Sequence, residues 1–205
     1  GDEDCSIDVD AKVPSLFMNT SYSGGIWLEN TTLTIISNGG MNASSFLFGT
    51  NSGGAFWLQH ASDSIILNNT AASWSGDASF YCTTKTPGSV TLTNNTMMML
   101  NGNKEKAVDT YFNIENTSRL MITGTQAFPV GAVNFGTTGK LSIKATGNLT
   151  LNQQNPTYGE DFATYYGSLK CDAASVNKYI YNQGTITRIG GGCAVIDMAI
   201  WNAGG

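Results

Sequence analysis

The residue types that carry most protein chemistry are sparse in this chain. His60 is the single histidine, so a metal centre built on several imidazoles is excluded, and a Ser-His-Asp relay would have only His60 with Asp63 to work with. No serine sits in a strand-turn-helix elbow. Polysaccharide cleavage is the enzymatic alternative, because it needs only carboxylates and a basic group on successive repeats. Its candidates are Asp63, Asp77, Asp109 and Glu115 with Lys85, Lys104, Lys106 or Arg119. Asp63 and Asp77 are too close in sequence to recur on one face of the repeat described below, whereas Asp172 and Asp197 could align. The acidic residues Asp2, Glu3, Asp4, Asp8 and Asp10 could hold calcium, yet Asp8-Val9-Asp10 reads more simply as a strand edge protected by charge. The expectation is a protein that is not an enzyme and uses no cofactor or metal.

Cys5, Cys82, Cys171 and Cys193 never form a C-x-x-C pair, which removes the spacing of a zinc or redox motif. An even count outside the cell predicts disulfides in one of three connectivities; the favoured one joins Cys171 with Cys193, which closes a short loop, and Cys5 with Cys82, which ties down the N-terminus. Sequons at Asn19, Asn30, Asn42, Asn68, Asn94, Asn116 and Asn148 point to the same exterior and to a glycoprotein. Aromatic residues are the better binding candidates. Trp27 and Trp57 occupy equivalent places in a repeat and are expected to stack, either in the core or as an exposed platform for sugar rings, with Trp74 and Tyr81 as a second such platform.

Composition sets the background for these residues. The 205 residues are 41% apolar and 12% charged, against about 25% charged in an ordinary soluble domain. Asn, Ser, Thr and Gly replace the missing charge, so the expected surface is polar and uncharged. A net charge of -5 with no basic stripe argues against nucleic acid as a partner. No apolar run reaches the length of a membrane span. The opening Gly1-Asp2-Glu3-Asp4 lacks the basic and apolar regions of a leader, which reads as a mature or trimmed form, extracellular or on the cell surface.

Helical periodicity is interrupted everywhere by Gly, Asn, Thr and Ser, while short β-branched and aromatic runs abound. Strands are expected at Thr32 to Ile36, Ser64 to Leu67, Val90 to Thr93, Tyr111 to Ile114, Leu120 to Thr123, Lys140 to Lys144, Leu149 to Leu151, Lys178 to Tyr181, Thr185 to Ile189 and Ala194 to Ile200. An internal repeat organises them. Ser23-Gly24-Gly25-Ile26-Trp27-Leu28 returns as Ser52-Gly53-Gly54-Ala55-Phe56-Trp57-Leu58, and Leu67-Asn68-Asn69-Thr70 as Thr93-Asn94-Asn95-Thr96. A period of about 26 to 30 residues with two or three short strands fits one coil of a parallel β-solenoid, with a β-sandwich as the alternative fold. Ile36, Ile66, Leu92 and Ile122 are expected as one interior row, and Asn38, Asn68 and Asn94 as an amide ladder at a turn. Asn68 and Asn94 cannot both stack inside and carry glycans. Three rows of Thr-x-Thr, at Thr32, Thr91 and Thr185, suggest ice binding, but Thr123-Gly124-Thr125 is out of phase with them.

The chain is therefore expected to be one all-β domain: a strand or cap over residues 1–13, repeat coils over 14–155, a loop over 156–176 and closing strands over 177–205. Residues 5 to 13 alternate as a single half-buried strand, with Cys5, Ile7, Val9, Ala11 and Val13 on one face.

The stretch Ile66 to Ala78, with Ser52-Gly53-Gly54-Ala55-Phe56, resembles the Asn and Gly-Gly-Ala repeats of polymorphic outer-membrane-type surface proteins. Lys144 to Asn152 and Tyr181 to Ile186 are similar to the coils of filamentous-haemagglutinin-like adhesins. The resemblance implies a right-handed parallel β-helix on a cell surface, acting in attachment. Gly76-Asp77 departs from the Gly-Gly pattern. The expected function is non-catalytic adhesion or structural display, with a glycan or a cell-surface protein as partner. The alternatives are an extracellular filament subunit that donates its N-terminal strand, and a polysaccharide lyase or hydrolase.

Overall fold

The computed structural model describes the chain apart from residues 1–2, 19–20, 38–43, 51–53, 77, 101–105, 125–131, 137, 154–167, 172–178, 191–194, 197 and 204–205. The described elements are all strands. The first eight are β1 (Cys5–Ile7), β2 (Ala11–Val13), β3 (Leu16–Met18), β4 (Gly25–Leu28), β5 (Thr32–Ile36), β6 (Ser44–Thr50), β7 (Ala55–Leu58) and β8 (Ser64–Asn68). Next come β9 (Ala71–Gly76), β10 (Ser79–Tyr81), β11 (Ser89–Thr93), β12 (Met97–Leu100), β13 (Lys106–Val108), β14 (Tyr111–Ile114), β15 (Arg119–Gly124) and β16 (Ala132–Phe135). The last are β17 (Lys140–Ile143), β18 (Asn148–Gln153), β19 (Ser168–Cys171), β20 (Tyr179–Asn182), β21 (Thr185–Gly190), β22 (Val195–Ile196) and β23 (Ala199–Asn202).

They form three sheets. Sheet A runs β1-β4-β7-β10-β13-β16-β19-β22, sheet B runs β2-β5-β8-β11-β14-β17-β20-β23, and sheet C runs from β3 to β21 in the same steps of three. The chain thus visits A, B and C in turn and comes back to A. Each pairing is parallel. Parallel neighbours need a long crossover, which the strands of the other two sheets supply. The antiparallel pairing of a β-sandwich is not found among the described residues.

Period-two alternation sends every second side chain inward. In sheet B, Leu33, Ile65, Val90, Phe112, Leu141 and Ile180 form one inner row and Ile35, Leu67, Leu92, Ile114 and Ile143 the other, all 3% exposed or less. Sheet A adds Ile26, Phe56, Phe80, Val108 and Phe135; sheet C adds Trp74, Leu100, Ile122 and Leu151. All belong to one apolar cluster, where each large side chain contributes about 1.5–3 kcal/mol of burial.

Several sequence expectations are corrected here. Ile36 pairs with Asn68, and Ile66 with Thr34 and Thr91, so both isoleucines lie half-buried on the outer face, while Ile122 belongs to sheet C. Aligning the repeats on their asparagines is off by two residues between β5 and β8 and by one between β8 and β11, and a one-residue shift reverses the face. The period is also looser than expected: in-register partners are separated by as few as 20 residues (Ile180 to Ile200) and as many as 39 (Leu141 to Ile180). Residues 156–176 are not wholly loop, since they contain β19, paired to β16. Residues 5–13 are two strands rather than one; the chain bends between them, leaving Val9 67% exposed. Thr34 faces Ile66, and Thr185 lies in sheet C, so the Thr-x-Thr stretches form no continuous row.

The corner from sheet B to sheet C shows why Asn and Thr recur. Asn69, Asn94, Asn95 and Asn116 take the left-handed conformation, with φ of 51°, 50°, 63° and 49°, which asparagine tolerates better than most residues. The residue that follows turns a hydroxyl inward. Thr70 Oγ1 donates to the Asn68 carbonyl at 2.9 Å, Thr96 Oγ1 to the Leu67 carbonyl at 2.8 Å, and the Thr70 and Thr96 amides donate to Thr96 Oγ1 and Ser118 Oγ at 3.2 Å each. Glycine takes over this position at Gly147 and Gly184, where a Cβ would come within 2.3 Å of the Ile114 and Gly147 carbonyl oxygens. The amide ladder is present outside rather than inside: Asn94 Nδ2 donates to Asn68 Oδ1 at 3.2 Å on the surface. Asn38 lies outside the described residues.

Two pairs of substitutions test this arrangement by urea unfolding. Leu67→Ala is expected to cost about 2–5 kcal/mol, and Ile66→Ala, on the outer face, less than about 1 kcal/mol. Thr96→Val, which leaves the Thr70 amide without its acceptor, is expected to cost about 1–3 kcal/mol. Thr110→Val is expected to be neutral or stabilising, because Thr110 Oγ1 is buried with no hydrogen-bond partner.

Candidate functional site

The outer face of sheet A carries an aromatic ladder. Trp27, Trp57 and Tyr81 are in register on β4, β7 and β10 and all three are half-buried. The two indoles stack with centroids 4.6 Å apart and planes 5° from parallel; Tyr81 follows at 5.1 Å, tilted by 35°. They lean over a row of small residues, Gly25, Ala55 and Ser79. A Cβ on Gly25 would sit 2.8 Å from Trp57 Nε1 and 2.9 Å from Trp27 Nε1, so glycine is what lets the indoles lie down.

Face-to-face stacking decides what this ladder can offer. The faces between the rungs are already covered, leaving edges and the two outer faces of the stack, that of Tyr81 and that of Trp27. At the Trp27 end the register neighbour on β1 is Ser6, which has no ring. The stack therefore lies on the outer face rather than in the core, and its rings cover one another instead of forming a continuous flat platform. Asp8 and Glu29, both exposed, follow Ser6 and Trp27 by two residues each and put two carboxylates on one side of the Trp27 end.

Trp74 is not part of any platform. It is 0% exposed, donates from Nε1 to the Ala78 carbonyl at 2.8 Å, and packs edge-on against Phe80 at 5.1 Å. Tyr81 instead joins Trp57.

The residues weighed for catalysis are scattered. Asp63 is 1% exposed, and its two carboxylate oxygens accept the backbone amides of His60 at 2.8 Å and Asn30 at 2.7 Å. It closes a corner between sheets A and B. Asp109 and Glu115 flank opposite ends of β14, roughly 20 Å apart at the rise of a strand, whereas a glycosidase pair needs about 5–10 Å. Lys85 and Arg119 are exposed, and Lys106 begins β13. Asp77, Lys104, Asp172 and Asp197 lie outside the described residues, as does Asp2. Of the N-terminal carboxylates, Asp4 accepts the Gly25 amide at 2.5 Å and Asp10 the Thr32 amide at 2.8 Å. Among the described residues, no three His, Cys, Asp or Glu side chains gather as a metal site would require.

The Cys5–Cys82 bridge is overturned: both are free thiols, the first exposed and the second buried. Cys5 aligns with Ile26, Phe56 and Phe80 in succession, which puts Cys82 three strand spacings away, roughly 14 Å, beyond the ~7 Å reach of a disulfide between Cα atoms. Cys193 and the side chain of Cys171 lie outside the described residues. Cys5 instead lines a cavity of about 240 Å³ with Leu16, Met18, Tyr22 and Ile26. The Tyr22 hydroxyl there donates to the Gly25 carbonyl at 3.1 Å. Burial first, then the charges of Cys5 and Asp4, push its phenol up to about 12.

Among the sequons, Asn30 and Asn116 are exposed and Asn148 is half-buried. The side-chain amides of Asn116 and Asn148 donate to Thr93 and Thr187 hydroxyls at 3.0 and 3.1 Å, bonds a glycan would replace. Asn19 and Asn42 lie outside the described residues.

Sequence reasoning missed a second aromatic group, on the outer face of sheet B. Tyr179 and Tyr181 on β20 meet Trp201 on β23, with T-shaped contacts at 5.5 and 5.8 Å. Lys140 and Lys144 reach over them. The Tyr-x-Tyr spacing, which keeps both rings on one face, was the available signal.

The Tyr22 environment makes a pH prediction. Ultraviolet titration is expected to show one late phenol, near 12, that Tyr22→Phe removes. Because the folded-state value lies above the unfolded one, this group's stabilisation is complete below pH ~10 and is lost as pH rises toward 12; Tyr22→Phe should flatten the stability slope in that window. Comparison with family models, with curated proteins and with solved structures returns no match in any of the three, so the function of these sites must be argued from their geometry.

Proposed function

We propose that this chain is a single right-handed parallel β-helix, displayed outside the cell or on its surface, that binds saccharides without catalysis. Strand order rising by threes around one core supports the β-helix, and the strong preference of parallel crossovers for the right hand supports its sense. The observation that carries the function is the outward ladder whose Trp27 end has no ring beside it, only Ser6. An indole face takes the C–H face of a pyranose while nearby carboxylates accept its hydroxyl protons, a combination of one apolar surface and a few placed polar groups. The uncharged Asn/Thr surface and the exposed Asn30 and Asn116 sequons favour the exterior; the free Cys5 and Cys82 thiols withdraw the support a bridge between them would have given. A filament built by strand donation would have to release β1 and β2, which pair with β4 and β5 of their own chain. A cap is the role their pairing favours.

Calorimetric titration with a panel of neutral oligosaccharides tests the proposal. At least one member is expected to bind, and Trp27→Ala to weaken it tenfold or more, about 1.4 kcal/mol. Trp74→Phe, inside the core, should leave the affinity unchanged. Equal affinity for wild type and Trp27→Ala, or no binding across the panel, would refute it.

A further inference from the structure

We infer that the outer face of sheet B near β20 and β23 is a second binding site, for an anionic saccharide. Lys140 Nζ stands 5.9 Å from the ring centres of both Tyr179 and Tyr181, and Lys144 Nζ stands 5.6 Å from that of Tyr181. Two ammonium groups thus converge on one tyrosine ring. They repel each other, and the attraction of a ring quadrupole is too weak to neutralise two charges. Neither lysine is joined by an ion pair to a described carboxylate, Glu115 at the nearby corner included. An anion from outside is the charge complement of this pair, on a chain whose net charge is otherwise -5.

The aromatic geometry names the rest of the ligand. On sheet A the rings are parallel and hide one another's faces; here Trp201 meets Tyr181 at 83° and Tyr179 at 66°. Edge-on contacts do not cover the indole face to face, and Trp201 is 56% exposed. At the strand end beyond them Asn182 Nδ2 donates to Asn202 Oδ1 at 2.9 Å, which leaves the exposed Asn202 amide to meet a hydroxyl. A flat, partly apolar ring bearing a negative charge and hydroxyls matches all three features. Lysine acts as a point charge, so carboxylated and sulfated sugars share the required chemistry.

The test uses the full chain with three probes of matched length: an oligogalacturonate, a sulfated dextran oligomer and the neutral dextran oligomer. One or both anionic probes are expected to bind at least tenfold more tightly than the neutral one, and their relative affinities identify the charged group. Lys140→Gln with Lys144→Gln should abolish that preference and flatten its salt dependence, with an unchanged circular dichroism spectrum. Trp201→Ala should weaken every saccharide bound here, while Trp27→Ala should not. Equal or absent binding of all three probes overturns the inference, as does a preference for anions that survives the double substitution. Because Trp27 and Trp201 are scored separately, failure here leaves the sheet A proposal standing, and the reverse holds.

Discussion

Parallel, in-register pairing is the constraint on which everything else in this molecule depends. It places equivalent residues about 4.8 Å apart, so each position along a strand becomes a row, and each row must be able to stack on itself. Aliphatic side chains satisfy that inside, as in the run from Leu33 to Ile180. Aromatic rings satisfy it outside, and hydroxyls satisfy it at corners by accepting the preceding circuit's amide, as Thr96 Oγ1 does from Thr70, while donating to a carbonyl. The low charge content follows: like charges stacked at that distance repel, so a chain built of rows turns to Asn, Thr and Ser for its polar surface.

That constraint also explains which parts of the structure were legible in the sequence. The all-β class and strands such as Thr32–Ile36 and Tyr111–Ile114 were plain, because alternation is a local signal. The equivalence of Trp27 and Trp57 was plain as well, since both follow a glycine-rich turn. Register was not. Ile36 and Ile66 lie next to the same turn as Ile35 and Leu67, and nothing local says which of two adjacent aliphatics faces inward; the pairing of the whole strand decides. The Cys5–Cys82 bridge failed for a related reason. Sequence distance says little when each circuit adds a fixed rise, and a tether across three circuits is simply too long.

The two aromatic groups differ because their neighbours differ. Gly25, Ala55 and Ser79 leave room for rings to lie over the sheet and stack. On sheet B the neighbours are lysines, and Tyr179, Tyr181 and Trp201 contact one another edge to face. One fold thereby offers two kinds of surface, a face-to-face ring stack and an edge-on cluster under cations. Trp74, similar to Trp27 by residue type alone, was separable from it only through the core it fills, since an indole with Phe80 and Phe112 around it has no face left to offer.

The spread of 20 to 39 residues between register partners has a kinetic meaning. No strand waits for a partner further away than one circuit, however many circuits the stack contains. Loop-closure entropy grows only with the logarithm of loop length, so the step from Leu141 to Ile180 costs little more than the step from Ile180 to Ile200. Each new circuit lays down on an edge already formed, and growth of the stack can keep pace with a chain that emerges from one end. The slow step is then the first circuits, before any edge exists to receive the next strand.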